Sequence, residues 1–395
     1  MVELSRRERI VAYTTGGFGL SMNAILYLLV PLRASELGAS IGVIGLLVGT
    51  KALAETVLSV PIGAFMDRTG PRKALLIGTL GTAVIGVAMA LAPSVLLLFV
   101  LQLAMGVVRP LGWLGGQSYA AGMRGGKSRA YDTGKFGFAA NVGQIVAPLV
   151  AGAVAGLAGT AAAFLVVVAW GLVFFALSWT LPDAGRAATT KDSGSGFGAA
   201  GTLLRIQGVQ VVMLLTFTRL WIPAVWSAFF PLYLVSEGLS PALAGSVLSF
   251  MGVAASVTSL LTGRIAALGG PIGVTAFSLL VSLLGVGLSG VWASVPLAYV
   301  VAALVGFGQG LSLPMLITLT SQAVPAEVRS LALGLRSGVN QAAATLAPVI
   351  VGPLIGATGA GVGFPVAAVI GGLFIAGALA RGRGAVVEDA ERPAT

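Results

Sequence analysis

Residues 63–73 read GAFMDRTGPRK and residues 263–273 read GRIAALGGPIG. The two stretches lie two hundred positions apart and share Gly63/Gly263, Gly70/Gly270 and Pro71/Pro271. In the second stretch Ala267, Leu268, Ile272 and Gly273 stand where the first has Asp67, Arg68, Arg72 and Lys73. The same shift aligns, without a gap, Pro31/Pro231, Leu32/Leu232, Gly38/Gly238, Gly45/Gly245, Gly106/Gly306, Arg129/Arg329, Pro148/Pro348, Gly152/Gly352 and Gly159/Gly359. Glycine coincidences are cheap in so Gly-rich a chain, but proline and arginine matches in one register point to duplication of one structural unit.

The surroundings of these stretches say what the duplicated unit is. Apolar residues make up 57% and charged residues 9% of the 395 positions, far from the balance of a water-soluble domain. Twelve apolar runs have the length of about 20 residues that a helix needs to cross a bilayer. They cover 11–32, 42–64, 74–92, 95–119, 131–153, 160–181, 207–230, 242–263, 272–292, 296–320, 330–352 and 361–380. The first follows Arg6, Arg7 and Arg9 but lacks a small-residue cleavage site, so it reads as a retained helix. The expected fold is an all-α membrane protein of twelve transmembrane helices in two pseudo-symmetric six-helix bundles, 1–181 and 207–395. The second bundle ends in a short cytoplasmic tail. Residues 182–206 between them, with Asp183, Arg186, Lys191, Asp192 and the run Ser193–Gly196, have linker composition.

Charge fixes the orientation. Of the 23 Lys and Arg residues, seventeen fall in the N-terminus, the even-to-odd loops and the C-terminus, and only Arg33 falls in an opposite loop. Basic residues collect on the cytoplasmic side, so both termini are expected there, in a cytoplasmic (inner) membrane. The net charge of +10 is then topological and calls for no nucleic-acid partner. With no Cys and no His, disulfides, Cys/His metal sites and His-based acid–base chemistry are excluded, and no cofactor is implied.

The loop Gly63–Lys73 matches every defined position of G-x3-D-R-x-G-x-R-K, and with twelve spans and a six-plus-six repeat the chain resembles the major facilitator superfamily of secondary transporters. The resemblance covers essentially the whole chain and implies that Gly63, Asp67, Arg68, Gly70, Arg72 and Lys73 act in gating. In such transporters the loop acid latches onto the N-terminal end of the eleventh helix, which here starts near Arg329. Physically, Gly63 and Gly70 permit tight turning, Asp67 suits a helix N-terminus, and the cations hold the loop at the headgroups. The alternative is an ordinary positive-inside loop with turn glycines. The pattern Gly143-x3-Ala147-Pro148-x2-Ala151-Gly152 is similar to the fifth-helix motif of proton-coupled exporters in the superfamily, with alanine for glycine twice. Span eleven partly repeats it at Ala347-Pro348-x2-Val351-Gly352, so close helix packing also accounts for it.

Ionisable residues inside spans are costly and mark functional candidates. Glu55 sits near the middle of span two, with Lys51 one turn earlier on the same face, so the pair is either a proton-coupling site or a permanent ion pair. Arg109, in GVVRPLG of span four, loosely resembles the superfamily's R-x-x-x-G motif and is either a coupling and substrate group or a fixed counter-ion to Glu55. Coupling is assigned to Glu55, Lys51 and Arg109. Substrate contact is assigned to Arg109, to Arg219 and Trp221 of span seven, and to Asn23, Tyr27 and Gln309, because the resemblance implies that helices one, four, seven and ten line the cavity. Two midplane cations, Arg109 and Arg219, with little compensating acid would favour an anionic solute. Asp132 and Arg336, near the cytoplasmic side, are expected to snorkel or pair locally, with gating as a further role.

The expected function is proton-coupled secondary transport by alternating access. Export of amphipathic compounds or drugs is favoured by the loop and fifth-helix motifs, with uptake or exchange of an organic anion as the alternative. The partners implied are a small-molecule substrate, protons and the lipid bilayer, and the protein is expected to be a monomer. No G-x4-G-K-[ST] phosphate loop occurs. An intramembrane aspartyl hydrolase needs two facing acids, and Asp132 is the only Asp inside a span. An enzyme is not expected.

Overall fold

The computed structural model describes residues 4–122, 128–183, 201–266, 269–291, 294–325 and 328–391. Among them every regular element is helical. The helices are α1 (Arg6–Thr14), α2 (Gly16–Glu36), α3 (Ile41–Val57), α4 (Ser59–Thr69), α5 (Pro71–Ala90), α6 (Val95–Gly122), α7 (Ser128–Ala158) and α8 (Thr160–Trp179). They continue with α9 (Gln207–Ser236), α10 (Pro241–Leu260), α11 (Thr262–Ala266), α12 (Pro271–Leu288), α13 (Val295–Gln322), α14 (Arg329–Thr358) and α15 (Ala360–Glu391). Arg186, Lys191 and Ser193–Gly196 of the linker, with Arg124, Lys127, Ala267 and Leu268, lie outside the described residues.

Eleven of the described stretches are long and apolar enough to cross a membrane. The twelfth is span two, which is not one helix: it breaks at Leu58 between α3 and α4. The local cause is Pro61, whose ring nitrogen cannot donate to the Val57 carbonyl one turn back. Span eight breaks in a similar place, at Leu261 between α10 and α11. Span one starts earlier than hydropathy suggests. Ser5 caps α1 by accepting from the Glu8 N–H at 3.3 Å while Glu8 Oε2 accepts from the Ser5 N–H at 2.7 Å, a reciprocal capping box.

The duplication is visible in backbone geometry. Gly38 and Gly238 have φ of +82° and +88°, and Gly159 and Gly359 have +88° and +78°, each pair separating corresponding helices. Only glycine takes that conformation at little cost, which explains why these glycines recur. Pro71 and Pro271 both open their helices at the first turn, where a missing N–H is harmless. The turn glycines of the quoted loop are less alike than their sequence suggests. Gly70 has φ +83°, whereas Gly270 is extended at −64°, and Gly63 is helical with open space where a Cβ would stand.

By Cα proximity the residues form two compact units, Met1–Thr189 with Ser227–Gly252, and Thr190–Trp226 with Val253–Thr395. In the first, α2 packs on α7, α5 packs on α6 and α8, and α3 packs on α6. In the second, α12 packs on α13 and α15 as α5 does on α6 and α8. Within the first unit, Gly152 of the fifth-helix motif meets Gly245 of α10: a Cβ on Gly152 would lie 2.7 Å from the Pro241 carbonyl and 2.9 Å from Gly245 Cα. The motif therefore serves close helix contact here, as small-residue patterns in membranes do.

Candidate functional site

The approach of α6 to α3 builds the polar centre of the first unit. A Cβ on Gly106 would come within 2.7 Å of the Lys51 carbonyl and of Ala54 Cβ, so only glycine lets the two backbones lie this close. One turn further along α6, Arg109 then reaches Glu55. Its Nε donates to Glu55 Oε1 at 2.9 Å and its Nη2 to Oε2 at 2.7 Å, the parallel fork in which a guanidinium grips a carboxylate best. Arg109 Nη1 also donates to the Gly19 carbonyl of α2 at 3.4 Å.

Lys51 shares the same carboxylate, its Nζ standing 3.5 Å from Glu55 Oε1. That ammonium also donates to Asn23 Oδ1 and lies 5.5 Å from the centroid of the Tyr27 ring. Lys51, Glu55 and Arg109 are 4%, 8% and 9% exposed. Five residues singled out on three spans thus form one buried cluster. Both ion pairs considered from the sequence are present at once, and Glu55 lies in the last turn of α3, three residues before the Leu58 break. With the carboxyl ionised, the three charged groups sum to +1.

The second unit is built differently around the same scaffold bond. Gln309 stands where the first copy has Arg109, and its Nε2 donates to the Arg219 carbonyl at 3.0 Å, just as Arg109 donates to Gly19. The first-helix carbonyl is held by the fourth helix in both copies, and only the first copy adds a charge there. Ala255 stands where the first copy has Glu55, and among the described residues no carboxylate pairs with Arg219. Its Nε is buried without a hydrogen-bond partner, and so are Nε and Nη1 of Arg336 on α14. In the first copy the equivalent positions, Gly19 of α2 and Phe136 of α7, lie on two packed helices that meet where a Cβ on Gly16 would stand 2.3 Å from the Phe136 carbonyl, and Arg219 and Arg336 occupy those positions in the second copy.

This changes the electrostatic expectation. Arg109 is ion-paired, sharing Glu55 with Lys51, whereas Arg219 and Arg336 have no carboxylate partner among the described residues. Arg336 lies two turns into α14, where the sequence placed it, and no ion pair holds it among the described residues. Trp221, assigned to solute contact, is 1% exposed and its Nε1 donates to the Ala367 carbonyl of α15 at 3.0 Å, a packing role.

The remaining gating candidates fall near the ends of α4, α5 and α7. Arg72 Nη2 donates to the Trp179 carbonyl at 2.8 Å, placing a cation on the C-terminal end of α8. Arg68 and Lys73 are exposed. Asp67 closes α4, and its side chain lies outside the described residues. Asp132 is 2% exposed and accepts from the Tyr13 hydroxyl at 2.5 Å, while Lys135 Nζ stands 5.2 Å from the Tyr13 ring centroid. Tyr13 was not singled out from sequence, and nothing in its local pattern marks it.

A family model described as Major Facilitator Superfamily matches residues 11–348, and a second match covers 212–394. No curated protein matches the chain. Among solved structures, the nucleoside transporter NupG superposes with a TM-score of 0.76 at 15% identity, covering 95% of this chain and 98% of that one. A bacterial homolog of the human lysosomal transporter Spinster, in an inward-facing and unoccupied conformation, gives 0.75 at 15% identity, with coverages of 96% and 97%. A POT family transporter in complex with 5-aminolevulinic acid gives 0.73 at 12% identity, with coverages of 95% and 96%. At such identities these likenesses speak for the fold, and the family match carries the assignment. The chain belongs to the Major Facilitator Superfamily and is a multi-pass membrane transporter rather than an enzyme.

Proposed function

We propose that the protein is a proton-coupled secondary transporter working by alternating access, with Glu55 as the group that takes up and releases the proton. The reading places it as a monomer in the cytoplasmic membrane with both termini cytoplasmic, on the strength of the basic-residue distribution. The observation that carries it is the sharing of one buried carboxylate between Arg109 and Lys51. Protonating Glu55 in that arrangement would leave two adjacent cations, so the carboxyl holds its charge while the pairs are closed. A conformation that withdraws Arg109 or Lys51 makes protonation favourable, and that link between proton and conformation is what coupling requires. Asn23 and Tyr27 give Lys51 an alternative neutral resting place.

Export of amphipathic compounds or drugs is the direction and cargo supported by the Gly63–Lys73 loop and the α7 motif. Carriage of an organic anion, by uptake or exchange, is the second reading, favoured by the unpaired Arg219 and Arg336. The test is reconstitution in liposomes with a panel of amphipathic cations, neutral compounds and organic anions, with and without an imposed pH gradient. Glu55→Gln is expected to keep solute exchange but lose accumulation driven by the gradient. Accumulation that still follows the gradient in full in Glu55→Gln would reject Glu55 as the coupling group.

A further inference from the structure

We infer that Arg219 and Arg336 together form an anion-binding site in the second unit, which takes the carboxylate, phosphate or sulfonate group of the transported solute. The inference rests on the transport reading for its purpose, but not on proton coupling. Its first ground is a shortage of acceptors: three guanidinium nitrogens, Arg219 Nε and Arg336 Nε and Nη1, are buried and bonded to nothing among the described residues. A buried guanidinium nitrogen without an acceptor has lost its water and gained nothing in return, a cost that a bound anion removes. The second is the absence of any internal anion to relieve that cost: helices α9, α10, α12, α13 and α14 contain no Asp or Glu. Arg109 shows what the fold does when it wants a neutralised arginine, which is to place Glu55 in the fork.

Two neighbours extend the argument. Asn340 lies one turn beyond Arg336 on α14, and Thr216 lies one turn before Arg219 on α9. Asn340 Oδ1 and Thr216 Oγ1 are also buried without partners. An amide turned through 180° offers an N–H and a hydroxyl rotates freely, so both can donate to the same anion. Meanwhile the Gln309 bond to the Arg219 carbonyl fixes the backbone that carries the guanidinium, without occupying the side chain. Arginine is suited to such a site because its charge persists and its planar fork matches two oxygens.

Equilibrium binding to the purified full-length protein, at fixed pH and without any gradient, tests the site separately from Glu55. The probes are sodium benzoate, succinate, inorganic phosphate and methanesulfonate at constant sodium chloride, with benzamide as the uncharged twin of benzoate and phosphatidylglycerol as the lipid source of the same chemistry. The readouts are intrinsic tryptophan fluorescence and the thermal unfolding midpoint. At least one soluble anion is expected to bind and raise the midpoint, with benzamide inert. Arg219→Gln and Arg336→Gln should each weaken that binding by at least about tenfold, or ~1.4 kcal/mol. Arg7→Gln, at an exposed position, should leave it unchanged. If a glutamine variant does not fold, Arg219→Lys and Arg336→Lys take its place; they keep the charge but lose the fork, and should weaken binding by a smaller factor. The inference is overturned if no soluble anion binds the parent, if the arginine variants bind as the parent does, or if phosphatidylglycerol alone protects. A Glu55→Gln protein that binds anions yet follows the pH gradient would reject the coupling reading and leave the anion site standing.

Discussion

The Glu55 cluster makes a sharp prediction because its charges are unequal in number. Lys51 and Arg109 both contact Glu55 Oε1, at 3.5 and 2.9 Å, so the two cationic nitrogens are separated by at most the sum of those distances, about 6 Å. Replacing Glu55 by Gln leaves them facing each other, a repulsion of roughly 2.5–3 kcal/mol at an effective dielectric of about 20. The amide also keeps only one acceptor for the three bonds that the carboxylate received. The expected loss is about 3–5 kcal/mol, as when one partner of a buried pair is removed. Arg109→Gln behaves differently, since Lys51 and Glu55 remain and cancel; roughly 1–3 kcal/mol is expected from lost hydrogen bonds. The double variant leaves one cation already in contact with Asn23, so it should be more stable than Glu55→Gln alone by ~2–3 kcal/mol. Thermal unfolding followed by tryptophan fluorescence reads this out. At about 2–4 °C per kcal/mol for a unit of some 200 residues, Glu55→Gln should lower the midpoint by ~10 °C and the double variant by about half as much. Losses that simply add, making the double variant the least stable of the three, would refute the shared-carboxylate geometry.

Two further outcomes test how the helices are positioned. Gly106→Val should destabilise by roughly 1–3 kcal/mol, because its side chain meets the Lys51 carbonyl and Ala54, while Gly63→Ala should be neutral or stabilising by up to about 1 kcal/mol in the open space around that helical position. Unfolding midpoints of the two variants measure the contrast, and a costly Gly63→Ala would mean that the loop glycine is needed in another conformation. Gly38→Ala and Gly238→Ala should cost similar amounts, about 1–2 kcal/mol each, since both positions hold φ above +80°; a cost confined to one copy would contradict the equivalence of the two turns.

Much of this protein is legible without coordinates. Hydropathy located the spans because a bilayer demands about 20 apolar residues in a row, a local requirement written in consecutive positions. The repeat was equally readable, since Gly38/Gly238, Gly159/Gly359 and Pro71/Pro271 answer local backbone demands that both copies share. The candidate charges were visible for the same reason: an ionisable residue stands out in an apolar run. What tertiary structure decided is how those charges are partnered, because partners on different helices depend on helix rotation and close approach. Glu55 could have faced Lys51 alone; Gly106 brings α6 near enough for Arg109 to claim it as well. Arg336 was legible as a cation within an apolar run, but that its Nε and Nη1 are buried without an acceptor emerges only from the packing around α14. The bond shared by Arg109–Gly19 and Gln309–Arg219 is likewise invisible in a list of residue types, since one end of it is a backbone carbonyl that any residue supplies.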